Sequence, residues 1–335
     1  MKKALLAGFL AFSMVLETAL PTLALSQDST APVTSEETAD EDLQGTAGPV
    51  VLNAANFPDA ALRSAVCAEL DVSEGTTLTQ EQLDGITGIS VKAADSLKGI
   101  EYFSKLSYLV CDDCSFQSLD ISNNTQLNFL RISQNTALTS LDVSRNLLLR
   151  MIDLENCDSV KKLDAGGHTN LTDLYFNSER NLALESLDTG GDTSLKTLSV
   201  SASTVGLSSL DVTSNTALDS LYCNGCDKMT SIDVSKNSNL TMLTLQNDGL
   251  TSLDLSKLGK LETTDYSGNR LTCVTPPPVR LHQCTGDRQG IAVSMKSDGN
   301  GYRTCSSLSF VEGTVFDPIT VTYSSSNHLF KAPDY

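Results

Sequence analysis

The sequence predicts a β-dominated solenoid of about 22-residue coils, two short strands per coil, behind a small helical N-terminal cap. Three observations predict it. First, fifteen phrases of the form L-x-x-L-x-L open at Leu106, Phe116, Leu127, Leu138, Leu149, Val160, Leu171, Leu184, Leu195, Leu207, Leu218, Met229, Leu240, Leu250 and Leu261, with a partial phrase at Leu271. Second, their spacing of 10 to 13 residues is a half-period. Alternate copies fall into two families, one reading LTSLDVS-like and the other LYCN- or LRIS-like. Third, the ninth position is asparagine at Asn124, Asn135, Asn146, Asn215, Asn237 and Asn269. A buried amide there can bond the turning backbone of adjacent coils. Together these define a leucine-rich repeat solenoid.

In chain order, Lys2 and Lys3 followed by the apolar run Ala4–Leu16 and small residues at 24–26 read as a signal peptide over 1–26. That run is too short to span a bilayer, which takes about 20 residues. Residues 27–48 carry six acids and no Lys or Arg, an acidic linker with little to bury. Over 49–105 the pattern turns helical. Pro58 suits a first turn, Leu62, Val66 and Leu70 share a face, and Thr79 with Gln82 forms a capping box. A solenoid exposes core at its ends, so this segment is its N-terminal cap. The solenoid occupies 106–275, its first, fourth and sixth phrase positions facing inward and its third and fifth outward. Residues 276–335 form a C-terminal cap or a small β appendage.

The net charge of −18 excludes nucleic acid and anionic membranes as partners, since both need a basic face. Catalysis has little to stand on. His168, His282 and His328 are scattered, no nucleophile elbow or HExxH occurs, and the tail is too short for a large catalytic domain.

The alternating LxxLxC and LTxLDVSxN phrases, with "NFPDAALRSAV" and "LKGIEYFSKLSYLVC" before them, resemble the secreted bacterial leucine-rich repeat proteins related to the internalins. The resemblance covers roughly 50–275. It implies export and recognition of a host or microbial surface partner by a monomer.

The two families differ where they face outward. In the first, position five is always aspartate (Asp120, Asp142, Asp164, Asp188, Asp211, Asp233, Asp254), and position three is serine except at Lys162. In the second, these positions carry Tyr108, Phe129, Arg131, Met151, Asp153, Asp173, Tyr175, Tyr222 and Met242, types that binding surfaces enrich. This variable face is the candidate ligand-binding surface, for an extracellular protein or alternatively a surface glycan stacked on the tyrosines. A purely structural surface component is the competing class.

No cofactor and no metal are expected. The aspartate column hydrogen-bonds nearby hydroxyls and backbone rather than converging on calcium. Asp71–Gln82 is a weakened EF-hand-like loop lacking its glycine and its bidentate glutamate. Cys111-x-x-Cys114 and Cys223-x-x-Cys226 lie five coils apart, about 24 Å at strand spacing, and cannot share one ion. They read as core cysteines, with Cys157 on the same ladder. Cys273, Cys284 and Cys305 follow the repeats, and a Cys273–Cys284 disulfide is one pairing open to them.

Overall fold

The structure, a computed structural model, describes residues 50–279 and 281–286 and the backbone of four short strands, Ser294–Ser297, Arg303–Ser307, Thr322–Tyr323 and Phe330–Lys331. The segments read as a signal peptide (1–26) and an acidic linker (27–48), and most of 276–335, lie outside the described residues.

The cap begins with an 11-residue helix, Ala60–Leu70, which buries Leu62 and Val66. Asp59 caps it, one carboxylate oxygen accepting from the Ala61 and Leu62 amides. Its other oxygen accepts from Asp95 and Ser96, fastening the helix to the first coil. Pro58 thus precedes the cap rather than opening the helix, because Asp59 supplies the side-chain acceptor a helix start needs. Thr79 and Gln82 form the reciprocal capping box ahead of Gln80–Gly85. Between the helices, Asp71 takes a left-handed conformation, and Thr77–Leu78 pairs antiparallel with Val50–Val51, burying Leu78.

The solenoid carries one continuous ten-stranded parallel sheet. Its strands are Gly88–Lys92, Tyr108–Asp112, Phe129–Ser133, Met151–Glu155, Asp173–Asn177, Thr197–Ser201, Ser220–Asn224, Met242–Gln246, Thr263–Asp265 and Gln283–Thr285. All pair in register, one strand per coil. The sheet therefore extends beyond the leucine phrases at both ends.

The opposite side departs from the two-strands-per-coil expectation. Only Lys162–Asp164 with Ser186–Asp188, and Ser252–Asp254 with Cys273–Thr275, pair as strands at the first-family phrases. Position five closes a turn at every phrase on this side. Every aspartate of the column accepts the N–H two residues on, at Ser122, Ser144, Gly166, Gly190, Thr213, Ser235 and Ser256. Asp164, Asp188 and Asp254 make this bond within paired strands, so it marks the turn without deciding which phrases pair. Where strands do not form there, bonds between coils lengthen, to 3.3 Å for Thr139 N to Gln117 O and 3.4 Å for Lys161 N to Thr139 O, whereas Glu185 N to Lys161 O, beside a paired strand, is 2.8 Å. On the sheet side Asn128 N to Ser107 O is 2.9 Å and Arg150 N to Asn128 O is 2.8 Å.

The coils are locked from inside by ninth-position residues. Asn124, Asn146, Asn215 and Asn237 are fully buried, and each donates to two carbonyl oxygens of the preceding coil. His168 replaces asparagine in this column, its ring nitrogens 2.6 Å from Ala165 O and 3.0 Å from Val143 O. On the sheet side the sulfurs of Cys114 and Cys157 do the same, lying 3.9 Å from Val91 O and 3.4 Å from Ile132 O. Position eight turns the chain out of the sheet in the left-handed conformation, at Asp113, Gln134, Asn156, Gly225, Asn247 and Gly268.

Candidate functional site

In-register pairing brings the nine candidate residues onto one face of the ten-stranded sheet. Position three forms the row Tyr108, Phe129, Met151, Asp173, Thr197, Ser220, Met242. Position five forms the row Val110, Arg131, Asp153, Tyr175, Ser199, Tyr222, Thr244.

The face is less open than strand alternation alone suggests. Only Tyr108 (38%) and Met242 (40%) are exposed. Phe129, Arg131, Met151, Asp153, Asp173, Tyr175 and Tyr222 are half-buried, and Val110, Ser199 and Ser220 are buried. Neighbours one strand away, about 4.8 Å, cover one another's flanks.

Two patches result. In the first, the Tyr108 and Phe129 rings stack at 4.5 Å between centroids. Beside them Arg131 reaches Glu155 at 2.8 Å and Asp153 at 3.7 Å. Burial raises the Asp153 carboxyl to about 6, against the opposing pull of Arg131. The patch continues through Met151 to Asp173 and Tyr175, whose hydroxyl donates to Asp173 at 3.4 Å. Burial holds the Tyr175 phenol up at about 12, so it acts as a neutral donor. The second patch is Tyr222 and Met242, with the Tyr222 hydroxyl 3.4 Å from Met242 Sδ. The small residues Thr197, Ser199 and Ser220 separate the patches, leaving Tyr175 and Tyr222 roughly 10 Å apart across two strand spacings.

Rigid aromatic area flanked by one guanidinium and several carboxylates suits an amphipathic partner. His168 is buried in the asparagine column, and His282 lies 3.8 Å from Glu262 away from these rows.

Among the described residues one group could hold a metal ion, and sequence reasoning missed its third member. Cys223, Cys226 and Asp248 are buried with ligand atoms within 4.8 Å of one another. The argument that the two Cys-x-x-Cys pairs cannot share an ion stands. Asp248, however, occupies the ninth position one coil on, and the ladder register alone could have located it. Cys273 and Cys284 are free thiols. The Cys273–Cys284 pairing that the sequence left open is not formed, the strand of Cys273 belonging to the small first-family sheet and that of Cys284 to the ten-stranded one. The side chain of Cys305 lies outside the described residues.

No family model and no curated protein matches the chain. Solved structures do. Internalin C2 of Listeria monocytogenes matches with TM-score 0.50 and 22% identity, over 68% of this chain and 97% of that one. InlP of Listeria monocytogenes matches with TM-score 0.50 and 19% identity, over 73% of each chain. At such identities the likeness establishes the fold. With its in-register parallel sheet and buried ninth-position ladder, the chain has the leucine-rich repeat solenoid fold of the internalins.

Proposed function

We propose that this is an exported binding protein that recognises an extracellular protein through the ten-stranded sheet, with Tyr108, Phe129, Arg131, Met151, Asp153, Asp173, Tyr175, Tyr222 and Met242 as its contact residues. The observation that carries this reading is the asymmetry between the two sides of each coil. One side repeats serine and aspartate, the aspartates spent on their own turns. The other varies from coil to coil and concentrates aromatic, methionine and arginine side chains. Core burial cannot explain that variation, since positions three and five face outward on both sides. Export rests on the pattern of residues 1–26, and no helix among the described residues is long and apolar enough to cross a membrane.

Protein is preferred over glycan because the first patch presents stacked rings beside an ionic cluster, the pairing of apolar anchor and charged rim that protein interfaces use. The test is to probe extracellular protein and glycan arrays with the protein, then repeat with Tyr108→Ala/Met242→Ala and with Asp142→Ala/Asp211→Ala. A specific protein partner lost with the first pair and kept with the second supports the reading. Loss with the aspartate pair alone, or capture of glycans only, overturns it.

A further inference from the structure

The two Cys-x-x-Cys pairs occupy the same register, the sixth and ninth positions of a second-family phrase, and yet sit in different surroundings. In the first pair, Cys114 Sγ approaches the carbonyl oxygens of Val91 and Asp112, and the next ladder residue is Asn135. That pair is a core element substituting for an amide. In the second pair, Cys226 makes neither kind of carbonyl bond. Its sulfur lies 2.9 Å from Cys223 Sγ, and the next ladder residue is Asp248.

Asp248 is only 3% exposed. Its Oδ1 accepts the Cys226 N–H at 2.8 Å, while Oδ2 has no hydrogen-bond partner. An asparagine here would use its NH₂ group on a backbone carbonyl, as Asn269 does on Leu245 O and Tyr266 O. A carboxylate cannot donate, so it is the wrong residue for the ladder and the right one for a cation. Burial raises the Asp248 carboxyl to about 7, and the hydrogen bond to Cys226, with burial, holds the Cys223 thiol well above its ordinary range. A metal ion reverses that preference by compensating all three anions at once.

We infer that Cys223, Cys226 and Asp248 form a binding site for a thiophilic divalent cation of the zinc type. Two sulfurs and one oxygen are a donor set such an ion accepts, and the N–H of Cys226 orients the carboxylate as an outer-shell partner. The sulfurs are farther apart than the ~2.05 Å of a disulfide. Tetrahedral bonds near 2.3 Å set them about 3.8 Å apart, so loading opens the pair by roughly 0.9 Å. Binding displaces thiol protons, since a metal-bound cysteine is a thiolate.

The test is titration of the reduced, full-length protein with Co²⁺, followed by displacement with Zn²⁺. One equivalent of Co²⁺ should bring near-ultraviolet thiolate charge-transfer absorption and tetrahedral visible bands, both removed by Zn²⁺. Cys226→Ser should abolish the signal and Asp248→Asn should weaken binding at least tenfold, whereas Cys111→Ser/Cys114→Ser should leave it unchanged. Asp248→Asn is the fold-safe variant, since asparagine is the ladder residue elsewhere and keeps the acceptor for Cys226 N–H. The inference is overturned by no charge-transfer band at one equivalent, by full affinity in Asp248→Asn, or by a signal that follows Cys111 and Cys114. Isolation of the native protein with Cys223 and Cys226 joined in a disulfide overturns it as well.

Discussion

Asn215 and Thr189 hold one another reciprocally across two coils. The amide of Asn215 donates to Thr189 O at 2.8 Å, and the hydroxyl of Thr189 donates back to Asn215 Oδ1 at 2.9 Å. The amide also reaches Asp192 O at 3.1 Å. Asn237, one coil on, makes the two amide bonds, but its Oδ1 has no partner. Asn215→Leu therefore orphans one buried group more than Asn237→Leu. With about 1–3 kcal/mol per orphaned group, both should destabilise by at least about 2 kcal/mol, Asn215→Leu by the larger amount. Urea unfolding midpoints decide it, and equal midpoints would refute the reciprocal bond.

Stability should depend on pH with an unusual sign. Asp192 fills a ladder position with neither oxygen in a full hydrogen bond; the Gly167 and His168 N–H groups, which donate to Gly190 O and Ala165 O, pull its carboxyl down only against the larger effect of burial. Burial raises its carboxyl to about 7, as it does that of Asp248, and that of Asp153 to about 6. Each folded-state value lies above the ordinary 3.8, so between about pH 4 and 7 the folded chain binds more protons than the unfolded one. Stability should fall as pH rises through that window and level off above it. Asp120, Asp142, Asp211 and Asp233 are held low by their turn hydrogen bonds and act oppositely, losing their contribution below about pH 4. The melting midpoint should thus drop from pH 5 to pH 8, and Asp192→Asn should flatten the drop and stabilise the protein at pH 8 by a few kcal/mol. A midpoint that rises over this range, or an Asp192→Asn variant with the wild-type slope, would refute the assignment.

The repeat phrase made the coil, the inward positions and the ladder legible in the sequence, because each follows from a period that side-chain burial enforces. Asn124 and Asn146 are where spacing alone puts them. What spacing could not show is the inequality of the two sides. An L-x-x-L-x-L phrase fits both, and the Asx-type turn at position five does not sort them, since Asp164, Asp188 and Asp254 make it within paired strands. Nor does alternation report lateral cover. Tyr175 points outward as expected, yet its neighbours half-bury it. Asp248 escapes a search for local ligand motifs because its partners stand 22 and 25 residues earlier in the chain, and only the ladder register brings them one coil away in space.

Position eight tolerates a side chain in most coils but should refuse one at Gly225. Asn156 and Asn247 occupy the same left-handed turn with φ of 55° and 53°. At Gly225, with φ +90°, an added Cβ would meet Ala202 O at 2.5 Å, backbone that cannot move aside cheaply. Gly167 has φ +84° and open space around it. Gly167→Ala should cost about 1 kcal/mol from backbone strain, and Gly225→Ala should cost more than about 3 kcal/mol. Comparable melting midpoints for the two variants would show that the coil at Ala202 yields.

The last prediction separates what Arg131 does for the fold from what it does for the surface. Its guanidinium is shared between Asp153 and Glu155, which pair with Arg131 and Ser133 across one sheet step. For Asp153, burial favours the protonated acid and Arg131 opposes it. Arg131→Met keeps a long apolar side chain beside Asp153 in the row while removing the opposing charge, so the Asp153 carboxyl should rise above about 6. Carbon-detected NMR titration of the Asp153 side chain reads this directly. The cost in stability should be small near pH 5, where Asp153 can hold its proton, and larger at pH 8, where the buried anion has lost its counter-charge. An unchanged Asp153 titration would mean that solvent, not Arg131, balances this carboxylate, and the ionic half of the proposed contact patch would have to be redrawn.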